Sequence, residues 1–264
     1  MPIDLLVTDE TRPPYRRFVN DVFGARAKAL GWTRKAGEDD DTQLVRRLLV
    51  PFVANEGDES SLVADAMRLS TAWLKDRGAV DPLLVPGILG VAARHGEKSL
   101  FQSFLVEVKK SSDRRERRIL FGALGRFRTP SVVSEALSQT LSTDFDARES
   151  ISILWEAAGD PETLPQAWAF LVANFDRLAE RLVHDAPAYF PFLASGFSDE
   201  AHRAEVEAFF RERAPKYTGG PRNLAQALEV IHLRATFKAA QQKSFEDFLK
   251  RYELKPTLEV KPTR

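Results

Sequence analysis

The sequence predicts an all-α fold: a HEAT-like α-solenoid of stacked antiparallel helix pairs with one concave face. Three observations lead there. Apolar residues recur at spacings of three and four along almost the whole chain, strand-type alternation is nearly absent, and helix start and stop residues return every ~15–20 residues. That interval suits paired helices of ordinary length, about a dozen of them, and stacked pairs leave one layer lining a concave surface.

The elements follow in order. Residues 1–12 carry no helical stripe and are expected to form an extended segment, 13–252 make up the helical body, and 253–264, with Lys255-Pro256 and Lys261-Pro262, read as a tail. Glu38, Asp39, Asp40 and Asp41 precede the stripe Leu44, Val45, Leu48 and Leu49. Their charge favours a helix N-terminus, and Asp41 is the expected cap. Ser60, Asp81, Asp113, Thr129, Asp146, Asp160 and Ser198 introduce later helices in the same way. Pro82, Pro130, Pro161 and Pro221 fall near first turns and Gly57, Gly78, Gly96 and Gly159 near last ones. Ile151, Leu154, Trp155 and Ala158 form one stripe. Trp168, Leu171, Val172, Phe175, Leu178 and Leu182 form the next, and Val206, Phe209 and Phe210 a third.

Composition limits what such a body can do. With 264 residues and 44% hydrophobic content the chain can bury a large core. Lys plus Arg and Asp plus Glu both number 38, so no overall field draws it to nucleic acid or an anionic membrane. There are no cysteines, which removes disulfides, thiol nucleophiles and thiolate zinc sites. The first residues lack a basic stretch followed by an apolar run, and no segment approaches ~18 uninterrupted apolar residues, which points to a soluble protein of the cytoplasm.

The segment Gln166 to Leu178, Q-A-W-A-F-L-V-A-N-F-D-R-L, resembles the L-A-W-x-F-L-x-x-N-W-x-x-L stretch in the C-terminal helical domain of puromycin-sensitive and endoplasmic-reticulum-type zinc aminopeptidases. Further matches keep the family order. Leu30-Gly31-Trp32 precedes the acidic run, Asp146-Ala147-Arg148-Glu149-Ser150 is similar to the R-S-Q-D turn, and Gly196-Phe197-Ser198, Glu205 to Phe210 and Gln226 to Ile231 resemble the last helices. Two departures stand out: Glu149-Ser150 replaces the family's S-Q-D, and Arg234 and Phe237 stand where it carries Asn and Trp.

The resemblance implies a non-catalytic domain that closes over a thermolysin-like catalytic domain, covers its active-site chamber and contacts the distal part of peptide substrates. Zinc is expected in that associated catalytic domain, on the same or a separate chain, and not in this one, since neither H-E-x-x-H nor G-A-M-E-N occurs here. The chain alone is therefore expected to be inactive, with no catalytic residue and no metal ligand of its own. Arg148, Glu149 and Arg234 are the expected peptide-binding residues. The alternative is a free-standing helical-repeat scaffold that binds a protein or peptide without a peptidase partner.

The remaining constellations have ordinary explanations beside the chemical ones. His202 and Glu205 form an H-x-x-E pair on one helical turn, two ligands without a visible third. The cluster Lys109 to Arg118 reads as a solvated junction, since Asp113 and Glu116 interrupt it and no aromatic residue interleaves; recognition of acidic groups through Arg is the other reading. Trp32, Trp73, Trp155 and Trp168 are expected mostly in the core. No G-x-G-x-x-G, P-loop or G-x-S-x-G motif occurs.

Overall fold

The computed structural model describes residues 3–253, and no strand occurs among them. Thirteen α-helices follow in order: α1 (Arg12–Val19), α2 (Ala25–Leu30), α3 (Asp40–Glu56), α4 (Ser60–Lys75), α5 (Val85–Arg94), α6 (Lys98–Lys110), α7 (Arg114–Leu124), α8 (Pro130–Ser138), α9 (Ala147–Ser150), α10 (Ser152–Ala158), α11 (Leu164–Arg181), α12 (Glu200–Phe210) and α13 (Gly220–Glu253). A π-turn at Asn20–Gly24 joins α1 to α2, and a 3-10 segment, Ala186–Ala194, separates α11 from α12.

Polar contacts between helices display the repeat directly. Trp32 Nε1 donates to the Leu62 carbonyl, Arg77 to Glu116, Gln102 to Glu135, Arg117 to Glu149, Trp168 to Glu205, and His232 pairs with Glu200. All of these partners lie between 30 and 39 residues apart. Such uniform separation means that each helix pair touches the next pair, the defining property of a solenoid. In the packing, α3, α5, α7 and α10 follow one another as one layer, while α4, α6, α8 and α11 pack against them and α12 packs on α13.

Two buried clusters form the core. One runs from Tyr15 to Ile153 and includes Leu249; the other runs from Val133 to Ile231. Helix α13 contributes to both. Leu228 and Ile231 enter the second cluster, and Leu249 enters the first. Its first half packs on α12 and the 3-10 segment, and its second half packs on α1. Phe18 meets Phe248 and Tyr252 edge-on, with ring centroids 5.3 and 5.1 Å apart, and Tyr15 meets Phe245 at 6.1 Å. Gln242 Nε2 donates to the Leu6 carbonyl across 236 residues. The last helix thus joins the end of the solenoid to its beginning.

Several sequence expectations need correction. Residues 3–6 are not extended; they form a 3-10 turn with Leu5 and Leu6 buried beneath α13. Asp39, rather than Asp41, caps α3, its Oδ1 accepting from Thr42 N at 2.6 Å. Asp199, rather than Ser198, caps α12. Asp113 and Asp146 are caps as expected. The stripe Leu44, Val45 and Leu48 faces out, and α3 buries Arg46, Val50, Val53 and Ala54 instead. Trp155 is 37% exposed, whereas Trp32, Trp73 and Trp168 are buried. The expected tail lies outside the described residues apart from Glu253, the end of α13.

Candidate functional site: the inner face

The inner helices converge at their carboxyl ends. Arg94, the last residue of α5, reaches Glu56 at the end of α3 (3.0 Å) and Asp160 beyond α10 (3.7 Å). Asp160 accepts from Arg128 Nε and Nη2 at 2.8 and 2.9 Å. Glu162 lies 2.7 Å from Arg128 and 3.3 Å from Arg12. Four repeats and the N-terminal segment therefore meet around one cavity of about 260 Å³. At the amino ends, by contrast, the ion pairs join only neighbours: Arg77 with Glu107 and Glu116, and Arg117 with Glu149. The carboxyl ends of this layer are thus tied together across several repeats, whereas its amino ends are tied neighbour to neighbour.

Electrostatics keep the convergence point together. Burial works against the charge of Asp160, but hydrogen bonds from Arg128 and the nearby Arg94 outweigh it and hold the carboxyl below its ordinary value. Burial pulls the Arg94 guanidinium below its ordinary value, and the like charge of Arg128 acts in the same direction. These charges are matched pair by pair, as buried or half-buried charges must be.

Glycine allows close packing along this face. A Cβ at Gly90 of α5 would stand 2.5 Å from Arg126 Nη1, so the absent side chain is the space across which Arg126 reaches Glu156. A Cβ at Gly125 would stand 2.6 Å from the Ile153 carbonyl oxygen, which sets how closely α10 approaches α7.

Two further cavities continue from the first. One, of about 440 Å³, is lined by Trp155, Leu164, Phe192, Leu193, Val230 and Arg234, and shares Gly159 and Pro161 with the convergence point. The other, of about 340 Å³, shares Arg126 and Glu156 with it and is otherwise lined by Pro86, Arg115, Arg118, Ile119, Gly122 and Ala123.

The three expected peptide-binding residues are not brought together. Arg234, on α13, lines the second cavity beside the exposed Trp155. Glu149 accepts from Arg117 at 2.7 and 3.0 Å and holds the α7–α9 junction; Arg117, the largest influence, keeps its carboxyl below the ordinary value. Arg148, largely exposed, doubles back on Asp146, the cap of its own helix.

His202 and Glu205 are committed to different partners. His202 stacks on Phe197 at 3.9 Å and pairs with Asp199, while Glu205 accepts from Trp168 Nε1 at 2.8 Å. Among the described residues no group of three or more His, Asp or Glu side chains could hold a metal ion. The zinc implied by the family resemblance finds no ligand set on these residues. Nor is any described helix long and apolar enough to cross a membrane.

Sequence reasoning missed two features. The acidic run gives Glu38 to Arg46, whose guanidinium is buried in α3 and also donates to the carbonyls of Leu30 and Gly31. That salt bridge, above all, lowers the Glu38 carboxyl to about 2. The signal available was the i,i+8 pairing of Glu with an Arg in a helix whose apolar phase is otherwise irregular. The other was the set of Arg residues paired with acids across the inner face, which only the convergence of repeats makes visible.

Fold and site define an all-helical repeat domain with a charge-lined surface along one layer of helices. The chain belongs to the ERAP1-like C-terminal domain family, whose model matches residues 3–233. It is similar to aminopeptidase M1-A of Oryza sativa subsp. japonica, 24% identical over 83% of this chain and 25% of that protein. It is also similar to two proteins of Saccharomyces cerevisiae. Alanine/arginine aminopeptidase is 22% identical over 90% of this chain and 28% of its own length, and aminopeptidase 2, mitochondrial, is 22% identical over 91% and 25%. The chain thus spans about a quarter of the length of the curated relatives it matches.

Proposed function

We propose that this domain is the non-catalytic cover of a zinc aminopeptidase, its inner face bordering the active-site chamber and holding the distal part of peptide substrates. The observation that carries this reading is the run of three adjoining cavities that share lining residues, in a chain whose relatives are aminopeptidases. A peptide held there by its far end keeps its amino terminus free for a neighbouring catalytic domain. Zinc, general base and amino-terminus recognition then belong to that domain. Within this reading Arg234 is the peptide contact. Its guanidinium, beside the apolar walls of Trp155, Phe192 and Val230, suits a carboxylate next to an apolar side chain.

The test is an assay of the purified chain on aminoacyl fluorogenic substrates with added zinc, alone and then mixed with a matching catalytic domain. No turnover is expected alone, and a changed dependence on peptide length is expected on mixing. Zinc-dependent turnover by the isolated chain refutes the proposal.

A further inference from the structure

We infer that the third cavity is a subsite for an acidic peptide residue, an inference that rests on the proposed peptide-holding role and names a chemical preference within it. Charge is matched almost everywhere on the inner face: Arg12, Arg94, Arg126 and Arg128 each lie against a carboxylate. Arg115 and Arg118 differ. They project from α7, three residues apart and hence on one face, into the cavity bounded by Pro86, Ile119 and Ala123. Neither guanidinium makes an ion pair or hydrogen bond among the described residues.

The acids closest in sequence are occupied elsewhere. Asp113 accepts from the backbone N–H groups of Arg115 and Glu116, Glu116 binds Arg77, and Glu149 binds Arg117 with Arg114 at 3.5 Å. Glu156, the one carboxylate in the lining, is held by Arg126 at 2.8 Å. Two exposed guanidinium groups thus border one cavity without an ion pair among the described residues, with Asp113 exerting only a weaker coulombic pull on Arg115, so a ligand carboxylate can engage both.

The walls specify the ligand further. Pro86, Ile119 and Ala123 offer apolar surface to a methylene stem, Gly122 leaves room beside it, and two guanidinium groups suit a carboxylate at its end. No aromatic ring lines the cavity, so a nucleobase would find nothing to stack on. A glutamyl or aspartyl side chain within a bound peptide fits these features.

The experiment is fluorescence anisotropy with labelled, C-terminally amidated peptides that carry one internal Glu or, in its place, Gln. The Glu peptide is expected to bind about tenfold tighter at low salt, with the advantage shrinking as salt rises. The double variant Arg115→Gln, Arg118→Gln is expected to equalise the two peptides with unchanged circular dichroism. Arg68→Gln, on the exposed face of α4, is expected to leave the difference intact. Equal binding of the two peptides by the unmodified chain overturns the subsite alone, whereas failure of both to bind overturns the peptide-holding role as well. Competition by inorganic phosphate as effective as the Glu peptide, or tighter binding of a single-stranded oligonucleotide, also overturns the assignment.

Discussion

Closure of the solenoid by its last helix should be testable with the single substitution Phe18→Ala. Helix α13 has 34 residues, about 51 Å at 1.5 Å per residue, and its second half is held against α1 chiefly by aromatic contacts. Phe18 supplies two of them, both edge-on. Truncating a fully buried Phe costs about 3–5 kcal/mol, and Phe18 is only partly buried, so about 2 kcal/mol is the expected loss. Most of that loss should fall on local opening, because the first half of α13 has its own contacts with α12 and the Ala186–Ala194 segment. Hydrogen exchange followed by mass spectrometry should therefore show protection in the second half of α13 falling about 30-fold, with little change in α11 or α12. Unchanged protection there, or a uniform loss along the whole chain, would refute the view that these rings form a separable latch.

Further outcomes follow from the inner face. Gly125→Ala should lower stability by about 1–3 kcal/mol, read by thermal or denaturant unfolding, because the new methyl meets backbone of α10 that cannot move aside cheaply. Asp160 has a depressed carboxyl in the fold, so its contribution is fully present above the ordinary value of 3.8 and is lost as pH falls through the lower folded value. Asp160→Asn should accordingly flatten the acid limb of a stability–pH profile and destabilise the protein at neutral pH by taking one of two carboxylates from each of Arg94 and Arg128, which keep Glu56 and Glu162, measured as midpoints in urea between acid and neutral pH.

The legibility of the fold differs from that of the site for physical reasons. Helical stripes are local: Trp168, Leu171, Phe175 and Leu178 fall on one side of α11 whatever surrounds them, and all four are buried. Caps at Asp113 and Asp146 are equally local, since the acceptor and the amides it serves lie within one turn. At Asp39 and Asp41 the rule named the right chemistry and the wrong residue, because Glu38 is drawn away by buried Arg46 and that contact sets where the helix begins. Leu44 and Leu48 misled for a different reason. They occupy a helical stripe, yet no neighbouring element covers that side of α3, whereas Arg46 on another side is buried against the Leu30 and Gly31 carbonyls; periodicity records a shared side without recording what lies against it.

Alone, the sequence determined the all-helical class, the rhythm of paired helices, the caps at Asp113 and Asp146 and the family, because each depends on interactions spanning a few turns or on the order of a few motifs. Tertiary structure decided the closing of α13 onto α1, the meeting of Glu56, Arg94, Arg128 and Asp160, the separation of Arg148 and Glu149 from Arg234, and the placement of Arg115 and Arg118 beside one cavity. These are contacts between distant repeats, and no spacing along the chain encodes how far successive helix pairs turn before their ends meet.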